Sequence, residues 1–567
     1  MATDNYWTRR INRRRVLAGS GTAAVGIGAF ALTGCGDDDN GGTSGKATPT
    51  QAGVQVGTAT AATPTPAAEN VKKDGVYHAR QGGPWASNNP YKGLDSGLTH
   101  GFLAFDHLWY TPLDTGIREN FLATSIEQPD PLHFTVKIGE AFFHNKPPVN
   151  GRKITAQDVK ASYETAAKQT KISNSSWWTQ VLEKVDAPDA STITFTMKSP
   201  DAWTFSSTNA GSPLGGSIIP EEICKDVDFM DRDIIGSGRY EFVSHENGTN
   251  MKYKRFDKWR IKGEPYLAGF EYKLIQEQAA ALAAFSAKEI DALDPSNKLE
   301  REQLVAKHGK EIAIDQFDRR AIWLVQTRGD GQFKDPRVTQ AISYALDRKE
   351  MIQLMDFGEG KVSGIVPPSF ASQALTEKEV NDTWGKNDLA EAKKLIAATG
   401  FDLTKEYELK YYVPGNRPAQ FAQIVQSQLA KLGFKIKLVG EDFGKWLAQS
   451  LYGSDYSGFI TYPTLEYDDP SSYIGSVGKT IGGRPNWAGF VNDEMDAALQ
   501  KQKTILNDKE RNAAVQEVQR KAWTNGAPFI PTFIQIGSTA SWGYVKGRVV
   551  GRGSYGLFNG KLYIDKG

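Results

Sequence analysis

At 567 residues, with 40% apolar and 23% charged side chains, the chain has the composition of a globular protein, and at roughly 100–200 residues per domain it has room for two to four domains. Lysine and arginine (67) nearly balance aspartate and glutamate (66), a formal charge of +1 with no basic patch, which excludes the phosphate-neutralising surface that nucleic-acid binding requires. Setting aside residues 1–35, which carry five arginines against Asp4, leaves 62 basic and 65 acidic side chains, or −3.

Residues 1–35 read as an export address. Arg13-Arg14-Arg15 precede an apolar run from Val16 to Leu32, the layout of a twin-arginine signal, and the run is glycine-rich and shorter than the ~20 residues of a membrane helix. It ends in Leu32-Thr33-Gly34-Cys35, which resembles a bacterial lipobox: a small residue before the cysteine permits cleavage, and the Cys35 thiol is the expected lipidation site. Residues 36–75 are rich in Thr, Ala, Gly and Pro, the composition of a flexible tether spanning roughly 30 Å. Cys224 is the only other cysteine, so with Cys35 acylated no intramolecular disulfide is expected, and Cys224 reads as a small buried residue.

The globular body follows from Val76. Leu132, Phe134, Val136 and Ile138 alternate, as do residues 193–197, and both predict half-buried strands; between them Thr155 and Asp158 predict a capped helix. Gly236-Ser237-Gly238 reads as a turn before a strand at 240–243, since neither Lys-Ser nor Lys-Thr follows to make a nucleotide loop. Strands at 253–259 and 270–275 and a helix at 277–286 come next. Asp335-Pro336 opens a helix with Val338, Ala341, Ile342, Ala345 and Leu346 on one face, and Asp347 with Glu350 predicts a capping box for the next helix, closed by Gly358. Asp388 and Glu391 start a helix that Gly400 ends. Strands at 407–413 and 434–439 flank a helix at 419–432, which predicts a parallel pair with a right-handed crossover. Helices at 495–505 and 508–523 and a buried strand at 529–534 complete the α/β body.

The stretch Gly458–Tyr473 carries Glu466, Asp468 and Asp469 among three tyrosines, and reads as a strand delivering an acidic turn. Three chemistries fit it: a hard-cation site, an acid/base pair, or a carboxylate holding an ammonium between aromatic walls. Asp468 and Asp469 read as turn and cap residues. Tyr462, Tyr467, Trp487, Trp323 and Gln326 are the expected ligand-contacting neighbours of Glu466. The seven histidines show no metal spacing, and neither a His-Glu-x-x-His pair nor a Gly-x-Ser-x-Gly elbow occurs, so no metal, cofactor or catalytic residue is expected.

Together Phe143-His144, Thr155–Val159, Gly236–Tyr240 with Arg255–Trp259, Ala287–Asp291, Phe333–Arg348 and Asp388–Gly400 resemble, in order and over nearly all of residues 76–567, the bacterial extracellular solute-binding proteins of family 5. The resemblance implies a two-lobed periplasmic-binding-protein-like α/β fold with an inserted α+β domain. It maps lobe I to 76–115, 211–319 and a C-terminal return at 526–567, the insert to 116–210, and lobe II to 320–525. It implies a non-enzymatic lipoprotein of an ABC importer, monomeric and anchored on the outer face of the cytoplasmic membrane, that captures di- or oligopeptides between its lobes for a permease. The family's peptide binders hold the ligand α-ammonium with an aspartate four residues before the position of Pro470; here that residue is Glu466, one methylene longer. Gln326-Thr327 stands where the family usually has Asn-Thr. These departures leave oligosaccharides as an alternative ligand class, with a signalling co-receptor or a secreted hydrolase as further alternatives.

Overall fold

The structure, a computed structural model, describes residues 71–566 except 72, 84, 86, 93, 111–118, 170–174, 203, 205–214, 247–248, 414–415, 465, 467–468, 482–483 and 550–559. The export signal, Cys35 and the tether as far as residue 70 lie outside the described residues, as do Tyr467 and Asp468. Among the described residues no helix is long and apolar enough to cross a membrane.

The expected α/β fold is present, built on three sheets. Alternation of Phe134, Val136 and Ile138 places strand His133–Ile138 between Ala123–Asp130 and Thr192–Met197 in a four-stranded antiparallel sheet, closed by Leu182–Asp186. Across it the rings of Phe134 and Phe195 stack at 4.4 Å. The helix Ala156–Ala167 covers this region, and its capping residue does more than cap. The Asp158 carboxylate accepts the Thr155 N–H (2.9 Å), two Arg152 N–H groups (2.9 and 2.6 Å) and the Glu221 N–H (3.0 Å), so a fully buried charge has every lone pair answered.

A second four-stranded sheet pairs Val76–Gln81, Gly269–Leu274, Asn250–Arg255 and Tyr240–Glu246 in that order. The turn leading into Tyr240 depends on glycine. A Cβ on Gly236 would lie 1.9 Å from the Ala104 carbonyl oxygen, and Gly238 donates its N–H to that oxygen at 2.8 Å. His144 clamps the same turn: Gly236 N–H donates to its Nδ1 (3.3 Å), which leaves Nε2 as the protonated nitrogen facing the Gly238 carbonyl at 3.1 Å. Both sheets contribute to one hydrophobic core, which includes Tyr77, Phe105, Phe134, Phe195, Tyr240 and Trp542.

The third sheet has seven strands. Its path runs through Ala292–Leu293, Phe529–Trp542, Ile312–Thr327, Phe459–Pro463, Glu406–Val413 and Lys435–Asp442, with Gly360–Val362 paired on Phe529–Trp542. Strands Ile312–Thr327 and Phe529–Trp542 pair antiparallel almost end to end, from Ile312 opposite Trp542 to Gln326 opposite Phe529. Ile312, Ala540 and Trp542 belong to the first core; Ile322–Val325 and Phe529, Ile530, Phe533 and Ile534 belong to a second. The chain therefore passes from the second core to the first inside this strand, between Ile534 and Ala540.

In the second core the predicted parallel pair is present: Glu406–Val413 runs beside Lys435–Asp442, joined by helix Asn416–Ala430, whose Phe421, Ile424, Val425 and Leu429 are buried. Asp335 caps helix Pro336–Ala345 by accepting the Arg337 N–H at 2.9 Å. The next cap differs from the expected box. Asp347 accepts the Glu350 N–H (3.0 Å), but its own N–H goes to Gln428 Oε1 (2.9 Å) on the neighbouring helix, so a tertiary contact replaces the local one. That helix ends at Asp356, and Phe357 as well as Gly358 takes a positive φ.

Burial holds His100, His107 and His144 neutral, each pushed down from 6.5 to about 3. A folded-state value below the unfolded one means that stability is complete above pH 6.5 and is lost progressively as pH falls toward 3. Urea unfolding at pH 7.5 and pH 4.5 should show a loss on the order of 2 kcal/mol per imidazole at the lower pH; equal stability at the two pH values contradicts this.

Candidate ligand-binding site

Strand Phe459–Pro463 lies inside the third sheet, antiparallel to Trp323–Thr327 and parallel to Leu409–Lys410. Phe459, Ile460 and Thr461 are buried, and the chain emerges at Tyr462 and Pro463 into the turn that carries Glu466. In open α/β sheets, ligands gather at loops leaving strand ends of this kind.

Gln326, fully buried and opposite Ile460, is the hub of the region. Its Oε1 accepts the Tyr462 hydroxyl at 2.5 Å and the Trp487 indole N–H at 3.3 Å, while its Nε2 donates to Tyr456 Oη at 2.6 Å. An indole can only donate, so the amide orientation is fixed. Tyr456 passes the chain on to the Thr327 carbonyl at 3.1 Å, and burial raises its hydroxyl above the usual tyrosine range, which keeps it a donor. Arg328, whose charge is held by Asp330 at 2.5 Å, donates to the carbonyls of Ser454 (3.2 Å) and Trp487 (3.5 Å), tying these two loops together.

Around this hub lies an aromatic cluster. Tyr462 meets Trp446 edge-on at 5.6 Å, Tyr412 meets Trp446 at 5.1 Å and Phe443 at 5.3 Å, and Trp487 meets the half-exposed Tyr452 at 5.2 Å. Trp446 opens a π-helical turn, Trp446–Leu451. Beneath it Lys410, 6% exposed, donates to Ser450 Oγ at 3.2 Å and to the Asp455 carbonyl, and pairs with Glu441 at 3.6 Å; Ser450 donates to the other Glu441 oxygen. These buried charges hold the turn through partners 31 to 45 residues from Lys410.

The expected site residues divide. Gln326, Tyr462 and Trp487 come together. Trp323 does not: three residues from Gln326 on a strand, it points to the opposite face, where it packs on Phe421 at 4.9 Å, stacks near Phe533 and donates to Gln535 at 3.3 Å. It is 3% exposed and serves the second core. Glu466 is half-buried, with Oε1 3.4 Å from Arg319 Nη1. Asp469 is bound into the turn, accepting the Ser471 N–H at 2.9 Å and Arg511 Nη2 at 2.7 Å. Tyr456, Arg328, Trp446, Lys410 and Arg319 were not expected from sequence. The one local sign was Lys410 itself, a lysine within the strand Tyr407–Val413. A shallow groove of about 210 Å³ lined by Glu350, Leu354, Gln420 and Ile424 includes none of these residues.

The family model described as bacterial extracellular solute-binding proteins, family 5 middle, matches residues 119–483, and the chain belongs to that family. Among curated relatives, heme-binding protein A of Haemophilus influenzae is 22% identical over 398 residues, covering 67% of this chain and 70% of that protein. The oligopeptide-binding protein AppA of Bacillus subtilis is 23% identical over 425 residues, covering 70% and 75%. Among solved structures, the periplasmic binding protein DppA of Helicobacter pylori, in complex with the peptide STSA, superposes with a TM-score of 0.71 at 21% identity, covering 87% of this chain and 99% of that one. The chain is thus a solute-binding protein with the fold of the periplasmic binding proteins.

Replacing Gln326 by Met keeps the volume but removes three hydrogen bonds, those to Tyr462, Trp487 and Tyr456. The expected cost is about 1–3 kcal/mol in urea unfolding; a neutral result would mean that the hub does not hold these side chains.

Proposed function

We propose that this protein captures peptides and passes them to the membrane subunits of an ABC importer, binding without turnover. The observation that carries the reading is Glu466: a half-exposed carboxylate four residues before Pro470, where the family's peptide binders place the aspartate that holds the ligand α-ammonium. Tyr462, on the strand that leads into the Glu466 turn, and Trp487, both bound by Gln326 on the neighbouring antiparallel strand, supply aromatic surface for side chains next to that ammonium. The names of AppA and DppA and the peptide bound to the latter support this choice of ligand. We further propose that the protein is exported as a monomer and held at the outer face of the cytoplasmic membrane by a lipid on Cys35, which keeps it beside its permease.

Oligosaccharides are the second reading. They are favoured by the longer side chain of Glu466, which reaches a sugar hydroxyl as readily as an ammonium, and by the aromatic rings of Tyr462 and Trp487 as stacking surface.

Calorimetry with peptide and oligosaccharide libraries tests the two. Tight binding of free-amino peptides, weakened about tenfold or more by Glu466→Gln, is expected, since a charge-assisted contact is lost. Tight binding of cello- or xylo-oligosaccharides with none of peptides overturns the peptide reading, and turnover of any ligand overturns the binding role. Trp487→Ala should weaken ligand binding with little change in stability. Trp323→Ala should do the reverse, costing about 3–5 kcal/mol of stability as a core truncation. For the anchor, labelled fatty acid should appear in the wild-type chain and be absent from Cys35→Ala, which is then released in soluble form.

A further inference from the structure

The two long strands do not pair regularly where they pass from one core to the other. Asp318 is opposite Ile536 and Ile322 is opposite Ile534, so three residues, Arg319 to Ala321, face one, Gln535. This bulge is fastened to the turn that carries Glu466. Ile322 N–H donates to Thr464 Oγ1 at 3.0 Å, Thr464 N–H donates back to the Ile322 carbonyl at 2.9 Å, and the Tyr473 hydroxyl donates to the Arg320 carbonyl at 3.1 Å. The neighbours of Arg319 are engaged elsewhere: Asp318 pairs with Lys361 at 2.7 Å, and the Arg320 guanidinium lies 4.3 Å over the ring of Phe370. Arg319 itself lies across Gly537 of the partner strand and reaches Glu466 at 3.4 Å, with the two side chains 36% and 26% exposed. Among the described residues each is the other's only ion-pair partner.

We infer that Arg319 is the resident counter-ion of Glu466 and that a ligand must displace it with a cationic group of its own, so that the pair sets the charge class of ligand the site accepts. The inference rests on the reading of Glu466 as the ligand carboxylate and adds to it a competitor built into the fold. A single, long, half-exposed ion pair is weak enough to exchange. A hydroxyl cannot replace a guanidinium charge, so a neutral ligand end leaves the pair closed, whereas an ammonium opens it. The released guanidinium then belongs to the bulge between the two cores, so occupancy of Glu466 is felt where the chain crosses from one to the other.

The test uses a library of free-amino tri- to pentapeptides and the same library N-acetylated, bound to the wild-type chain, Arg319→Gln, Arg319→Lys and Glu466→Gln, with affinities read by native mass spectrometry and calorimetry and folding checked by thermal unfolding. Removing the competitor in Arg319→Gln should tighten binding of free-amino peptides about two- to fivefold, the size of an exposed ion pair, and leave N-acetylated peptides unchanged. Arg319→Lys keeps a competing charge and should bind like wild type. Arg319→Gln binding free-amino peptides as wild type does, or more weakly, while Glu466→Gln abolishes the preference for a free amine, overturns the inference alone. A wild-type chain without any preference for the free amine, or one that takes neither library, overturns the reading of Glu466 and the inference with it.

Discussion

Everything in this fold depends on one backbone interaction, the antiparallel pairing of Ile312–Thr327 with Phe529–Trp542. A strand pair normally serves one core. Here one end packs with Trp542 and Ala540 in the first core and the other with Ile322, Val325, Phe529 and Phe533 in the second, and the register slips between. A bulge bends and twists a strand locally. Pairing on both sides holds each core, and the irregular residues, at Arg319–Ala321 and again between Trp323 and Leu324, take up the change of direction. The seven-stranded sheet is the frame on which the Gln326 hub, the Glu466 turn and the Arg319 bulge are placed relative to one another.

Three buried polar side chains in different parts of the fold have their hydrogen bonds in place. Gln326 binds two aromatic donors and one aromatic acceptor, His144 holds two glycine backbones with its two ring nitrogens, and Asp158 answers an arginine and two N–H groups. A buried polar side chain costs stability unless its partners are in place, so each of these groups accepts one arrangement of its surroundings and penalises the rest. Such groups specify where loops from distant parts of the chain must meet. For Gln326 this means that Tyr456, Tyr462 and Trp487, on three different segments, present their rings in a fixed relation.

What the sequence disclosed follows from the range of the interactions involved. Caps such as Asp335, alternation such as Phe134 to Ile138, and the helix between two parallel strands at 406–442 are set by neighbours within a few residues and are read directly from the chain. The family resemblance extended this to the α/β architecture. The Gln326 hub was only half visible: glutamine, tyrosine and tryptophan were named, but their bonds span 130 to 161 residues and leave no local pattern. Asp347 shows the same limit, since its cap looked self-contained yet its N–H is taken by Gln428, 81 residues away. Trp323 is the opposite case. Residues three apart on a strand face opposite ways, so its separation from Gln326 was legible, and the proximity of the two in sequence obscured it. Arg319 had no signature at all, because a bulge appears only when two strands are laid side by side.

The placement of Phe529–Trp542 also constrains how the protein is made. This strand, near the end of the chain, is not an edge strand: it lies between Ala292–Leu293 and Gly360–Val362 on one side and Ile312–Thr327 on the other, and it contributes side chains to both cores. A nascent chain that has not yet released these residues holds two incomplete cores and an open gap in its main sheet, with Ile322, Leu324 and Trp323 unable to find the partners that cover them. Neither half can finish folding ahead of the other. Synthesis must reach Trp542 before either core closes, and until then the unfinished sheet edges need protection from other chains.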